Sequence, residues 1–202
     1  MATQSADEES LPLLGEAFAV ELANSRYRSD RDDLDFLDDP TAVRRWFDAA
    51  PDAAGLEVPA GLGTVAAGRL REVRDAARTL LTELADRSPE LSAVAVERLH
   101  AASRQAPAHL ALTAPAGEPP GWELHYDGPP EAVFLASVAA HCILFVAGDD
   151  AGRVRHCARP ACPMIFVQQH SARRFCHESC AHSVRQARYY RTTKHARRGA
   201  ES

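Results

Sequence analysis

The chain has 202 residues, 46% of them hydrophobic and 25% charged, the composition of a globular protein of one domain, or of one domain with a small appendage. Its longest apolar stretch, residues 132–147, is interrupted by Ser137 and His141 and falls short of the roughly 18 residues a membrane span requires, so a buried helix is expected there and no membrane partner. The opening MATQSADEES is acidic and polar, without the basic start and apolar run of a secretory leader, which points to the cytoplasm.

In chain order, residues 11–25 (LPLLGEAFAVELANS) space their apolar side chains for a helix that ends at Asn24 and Ser25. The Asp-rich SDRDDLDFLDD lacks the glycine at position six and the glutamate at position twelve of a calcium loop, and reads as a solvated acidic loop. DDPTAVRRWFDAA predicts a helix with Asp39 as N-cap and Pro40 at the first helical position. Leu70, Val73, Ala77, Leu80, Leu81 and Leu84 recur at steps of three and four, the best helical pattern in the chain. A second helix, from near Ser88 and Pro89 through Leu91, Val94, Ala95 and Leu99, completes a helical hairpin. PAHLALTAP and GWELHYDG alternate between Pro and Gly boundaries and predict two strands of a β-hairpin across the loop APAGEPPG. Residues 131–146 form the most apolar helix and the centre of the core, with Cys142 as a small buried residue. His125 and His141 read as packed residues. No Gly-rich phosphate loop, nucleophile elbow or His-x-x-x-His pair is present, so catalysis is not expected.

The net charge of −5 hides a division. Residues 151–202 hold eleven Lys and Arg against Glu178 and Glu201, a net of +9, which leaves −14 for the rest of the chain. AGDDAG, residues 147–152, marks the boundary between an acidic body, 1–150, and a basic module, 151–202.

The module contains Cys157 and Cys162 on either side of four residues that include Pro160, then a 13-residue spacer, then Cys176 and Cys180. Thiols of a cytosolic protein stay reduced, so two close pairs favour metal over disulfides. The turn between the first pair is a knuckle, MIFV (164–167) is a short strand expected to return toward Phe175 as a hairpin, and a helix beginning near Glu178 puts Cys180 in its first turn. Such a set suits one tetrahedral structural Zn(II), which supplies folding free energy that about fifty residues with few large apolar side chains lack. His156, His170, His177 and His182 are rival ligands, but four thiolates already complete the tetrahedron.

In the helix after Cys180, Val184, Ala187 and Arg191 share the face toward the metal, while Arg185, Arg188 and Thr192 project elsewhere. Arg173, Arg174, Arg185, Arg188, Tyr189, Arg191 and Lys194 form a basic footprint, with Tyr189 and Tyr190 interleaved, of the kind that binds nucleic acid through phosphate. Arg188 is the first candidate for a base contact. The alternative is a zinc-stabilised module that docks on protein, its own acidic surface or a partner's. A metal-dependent nuclease using His177 and Glu178 ranks third, since it needs an open metal position.

RHCARPACPMIFVQQHSARRFCHESCAHSVRQARYYR resembles the CGNR-type zinc finger, and FAVELANSRY through AVRRWFDAA, with the helical pair behind it, resembles the ABATE domain that precedes that finger in bacterial proteins. The resemblance implies a stress-associated transcription regulator, a DNA partner, and ligation of zinc by Cys157, Cys162, Cys176 and Cys180. It implies an α-rich α+β fold, a helical N-terminal domain with a small β-hairpin followed by a treble-clef-like hairpin-plus-helix module. The helical domain is expected to dimerise or to sense a ligand. Where the family has Cys-Gly-Asn-Arg, this chain has Cys180, Ala181, His182 and Ser183, so the contribution of the Asn and Arg is absent or comes from Arg185 or Arg188.

Overall fold

A computed structural model describes residues 11, 13–28, 33–50 and 56–200, the side chains of 191–200 excepted. Its first helix, α1 (Phe18–Asn24), is shorter than the one expected over 11–25. Gly15 takes a φ of +70°, and the N–H groups of Leu14 and Glu16 both donate to Glu21 Oε1 at 2.7 Å. A buried carboxylate that gathers these donors replaces the helical ladder upstream of Phe18.

The acidic stretch is also corrected. β1 (Arg26–Arg28) pairs antiparallel with β2 (Asp33–Asp35), residues 29–32 lying outside the described residues. The charges there have partners rather than only water. Arg26 meets both oxygens of Asp33 at 3.1 Å, and Asp35 accepts from the fully buried Arg74 and from the Leu37 N–H.

α2 (Pro40–Ala49) starts as its sequence predicts, with Asp39 Oδ1 accepting from the N–H groups of Thr41 at 2.6 Å and Ala42 at 2.9 Å. α3 (Thr64–Ala85) and α4 (Ala93–Ser103) lie side by side. α4 begins later than Ser88, because the hydroxyl of Ser92 caps Ala95 N–H and the Ser92 N–H is itself held by Glu83 at 2.9 Å. β3 (Ala108–Thr113) and β4 (Gly121–Tyr126) form the expected antiparallel hairpin.

α5 (Pro130–Ala147) is long and apolar enough by length and composition to cross a membrane. Its inner face, however, is the centre of the core, where Phe134, Leu135, Val138, Ala139 and Cys142 pack among α1, α3 and α4. Phe18, Trp46, Phe47 and Phe134 close that core with ring centroids 5.1 to 6.0 Å apart, mostly edge to face, a geometry worth about 0.5–1.5 kcal/mol per pair beyond area burial.

A turn of 3-10 helix (Asp149–Arg153) leads into β5 (Val154–His156), and β5 pairs antiparallel with β6 (Ile165–Val167). The hairpin partner of the MIFV strand therefore precedes the first cysteine and is not the Phe175 segment. Alternation along β6 explains this. Ile165 and Val167, with Val154, pack on Val20, Ala23 and Leu81 of the body, while Met164 and Phe166 pack with the cysteines. A strand apolar on both faces must lie between two layers. The last element, α6 (Glu178–Ala200), leaves from the cysteine cluster.

Candidate metal centre

The turn joining β5 to β6 is built by two prolines and one left-handed residue. Ala161 takes a φ of +59° between Pro160 and Pro163, Cys162 N–H donates to Arg159 O at 3.1 Å, and Cys157 N–H closes the turn on Met164 O at 3.0 Å. Cys157 and Cys162 thereby project from one knuckle. Cys176 precedes α6, whose first turn is set by His177. Its carbonyl accepts from Cys180 N–H at 3.1 Å, and its Nδ1 accepts from Ser179 N–H at 3.2 Å. This brings Cys180 back over the knuckle.

All four Sγ atoms lie within 4.8 Å of one another. Cys162 and Cys176 are 3.8 Å apart, Cys176 and Cys180 3.7 Å, and Cys162 and Cys180 3.9 Å. Disulfide sulfurs sit about 2.05 Å apart, and all five cysteines are free. A tetrahedron with Zn–S bonds of about 2.3 Å has edges of about 3.8 Å, so the sulfurs stand where one zinc ion requires them. Electrostatics agree. Burial pushes the Cys157 thiol up despite N–H groups of Cys176 and Arg159 directed at it. Hydrogen bonding from the Cys176 thiol, together with Cys157 and Cys180, lowers Cys162 to about 5 against its burial. Cys176, the donor in that contact and itself buried, is raised. Four thiols this close can all give up their protons only where a divalent cation shares the negative charge. Arg159 adds a guanidinium 3.9 Å from Cys180 Sγ, a neighbour that sequence spacing did not single out.

The rival histidines lie apart from this set. His156 bonds Asp86 at 3.0 Å, His177 caps α6, and His170 and His182 are exposed. Among the described residues the four cysteines are the one group placed to hold a metal.

Arg173 is a correction. Expected as a phosphate contact, it turns inward. It meets Glu16 Oε1 at 2.5 Å and donates to the carbonyls of Val167, Phe175 and Cys176 at 3.0 to 3.4 Å. Its guanidinium also lies 4.8 Å from the Phe166 ring centroid. It belongs to a clamp that the sequence reading missed. The N–H groups of Ile165 and Val167, and the Ile165 carbonyl, point away from β5. Asn24 takes both groups of Ile165, at 3.2 and 2.9 Å, and Glu16 Oε2 takes Val167 N–H at 3.0 Å, so two side chains stand in for a third strand. Arg78 adds a bridge from Ala23 O to Pro163 O. The only local signal was Glu16 and Asn24 bounding an apolar run.

Arg174, Arg185, Arg188, Tyr189 and Tyr190 are exposed, the last two with rings in edge contact at 6.1 Å. Val184 is half-buried but Ala187 is exposed, so α6 parts from the core one turn earlier than its apolar spacing suggested. Arg191 and Lys194 lie on α6, their side chains outside the described residues. Ser183, in the place of the family arginine, turns its hydroxyl back to Ser179 O at 2.9 Å.

Two family profiles match the chain. Residues 16–150 match ABATE, described as a "putative stress-induced transcription regulator", and residues 153–193 match the CGNR zinc finger. No curated protein matches.

Proposed function

Since the chain belongs to the ABATE family and carries a CGNR zinc finger behind that domain, we propose that it regulates transcription by binding DNA through α6. The observation that supports this reading is the course of α6. Cys180 anchors its first turn at the zinc site, Val184 is the last half-buried apolar residue among those of α6 whose side chains are described, and beyond it Arg185, Arg188, Tyr189 and Tyr190 are presented to solvent. A helix is the element that enters a major groove about 12 Å wide, and arginine forks hold phosphates and guanine edges.

In this reading zinc, held by Cys157, Cys162, Cys176 and Cys180, fixes the base of α6 to the body and performs no chemistry. Four thiolates leave no coordination position for a substrate, so no catalysis is assigned. Free cysteines fit a reducing compartment, in keeping with a cytoplasmic regulator. With Arg173 engaged internally, the phosphate contacts fall to Arg174, Arg185 and Arg188, joined by Arg191 and Lys194.

Zinc-loaded protein titrated with random duplex DNA at increasing salt tests this. Five phosphate contacts predict a log–log slope of about −4 to −5, and Arg185→Ala with Arg188→Ala should flatten it by about 2. Binding that ignores salt, or persists unchanged in that double variant, would overturn the reading in favour of docking on protein.

A further inference from the structure

We propose that the cysteine cluster is also a site of reversible oxidation: a small hydroperoxide that enters the cavity beside it oxidises Cys162, which then closes a disulfide with Cys176 or Cys180 and gives up the metal. The inference rests on the fit of the cysteines to zinc and does not depend on the DNA reading.

The four sulfurs are not equally covered. Cys157, Cys176 and Cys180 are buried, whereas Cys162 is half-buried. Cys162, Cys176 and Cys180 line a cavity of about 310 Å³, and Cys157 lies outside its lining. The segment before α1 contributes Leu11, Leu13 and Leu14 to the same lining, and the knuckle contributes Arg159. The cavity therefore lies where the body meets the module, with a partly exposed sulfur in its wall. Such an approach admits the two oxygens of a peroxide and not the paired rings of an aryl disulfide. Redox-sensitive cysteines are accessible thiolates with a second thiol in reach. Ligation keeps these sulfurs in the thiolate form, and the second sulfur is already in place. Cys176 Sγ lies 3.8 Å and Cys180 Sγ 3.9 Å from Cys162 Sγ, so a disulfide needs a closure of about 2 Å. Cys142, wholly buried in the body's core, meets neither condition.

The Cys162 thiolate attacks the terminal oxygen of the peroxide. The S–O bond forms as the O–O bond breaks, the sulfur gives up two electrons, and the departing oxygen takes the pair and then a proton from water. Arg159, with its guanidinium 3.9 Å from Cys180 Sγ on the same cavity, is a fixed cation beside that developing negative charge. A thiolate of Cys176 or Cys180 next attacks the sulfenic sulfur, the S–S bond forms, and hydroxide leaves. Two thiolates, one hydrogen peroxide and two protons thus give one disulfide and two waters. The two thiolates that remain are too few to hold a tetrahedral ion, so the metal is released. The first turn of α6 then loses its rigid seat, while β6 keeps its hydrogen bonds to Asn24 and Glu16.

Hydrogen peroxide, the smallest member of the class, is the probe. The full zinc-loaded chain is mixed with it beside a chromogenic zinc indicator, against a peroxide-free control, and the remaining thiols are trapped and mapped by peptide mass spectrometry. The bound zinc should be released together with formation of a disulfide from Cys162 to Cys176 or Cys180, and Cys142 should stay reduced. Dithiothreitol with added zinc should return the loaded form. Leu14 packs against the cysteine cluster, so Leu14→Trp fills the cavity without removing a ligand. With native circular dichroism and full zinc content, that variant should release zinc roughly fivefold more slowly, because thiol oxidation follows access. Zinc retained until the protein unfolds, a first disulfide that omits Cys162, or release from fully loaded Leu14→Trp as fast as from wild type would overturn the proposal.

Discussion

Replacing Arg173 with Met removes the guanidinium that meets Glu16 at 2.5 Å. The Glu16 side chain is 2% exposed, and its other oxygen already holds Val167 N–H, so the variant leaves a buried carboxylate with one donor. Removing one partner of a buried ion pair costs about 3–5 kcal/mol, and the 19% exposure of Arg173 sets the expectation at the lower end, about 3 kcal/mol. Glu16→Gln is milder, at about 1–2 kcal/mol, because an amide oxygen can still accept from Val167 while Arg173 keeps its carbonyl partners. The double variant removes both charges together and should cost less than the sum, with a coupling of about 1–3 kcal/mol. Urea unfolding of zinc-loaded protein measures all three. A cost for Arg173→Met below about 1 kcal/mol, or additive single changes, would refute the clamp. The same variant should leave the salt slope of DNA binding unchanged, whereas a fall of about 1 would restore Arg173 as a phosphate contact.

Three further outcomes follow from the packing and the thiols. Stripping zinc with a chelator should lower the thermal midpoint of the whole chain and not of the tail alone, because Val154, Ile165 and Val167 fill a core shared with Val20, Ala23 and Leu81; an unchanged body transition would refute that shared core. Burial pushes Cys142 up to about 12, so native zinc-loaded protein should show essentially no thiol reactive to Ellman's reagent near pH 8, chelation should expose four and denaturation all five; a fast thiol in the zinc-loaded state, mapped to Cys142, would contradict its place in the core. Burial works against the Asp35 carboxylate, but Arg74 and the Leu37 N–H outweigh it and lower its pKa. Its stabilising contribution is then complete above about pH 4 and disappears as pH falls through the lowered value. Asp35→Asn should therefore weaken the fold at neutral pH and flatten the acid limb of its stability curve, and an unaltered acid limb would refute the assignment.

Much of this fold was legible because its signals are short-ranged. Asp39 and Pro40 announce α2 within three residues, the stripe from Leu70 to Leu81 announces α3, and strict alternation announces the β3–β4 hairpin in its observed pairing. The errors share one cause. The run ahead of Phe18 looks helical by spacing, yet Glu21 captures the N–H groups of Leu14 and Glu16. Asp33 and Asp35 look solvated until Arg26 and Arg74 arrive beside them.

For the site itself, four cysteines in two close pairs were enough to name the metal, its number of ligands and the helix that leaves it, because zinc's short bonds and tetrahedral geometry restrict what such a spacing can do. Which arginines face outward was decided only when the tail met the body. Glu16 and Arg173 are 157 positions apart, and Asn24 and Ile165 are 141. Periodicity and capping act over one or two turns of chain, whereas the partner of a buried charge or of a strand's free edge depends on which surfaces dock, and that is settled by the burial of both layers of β6 at once.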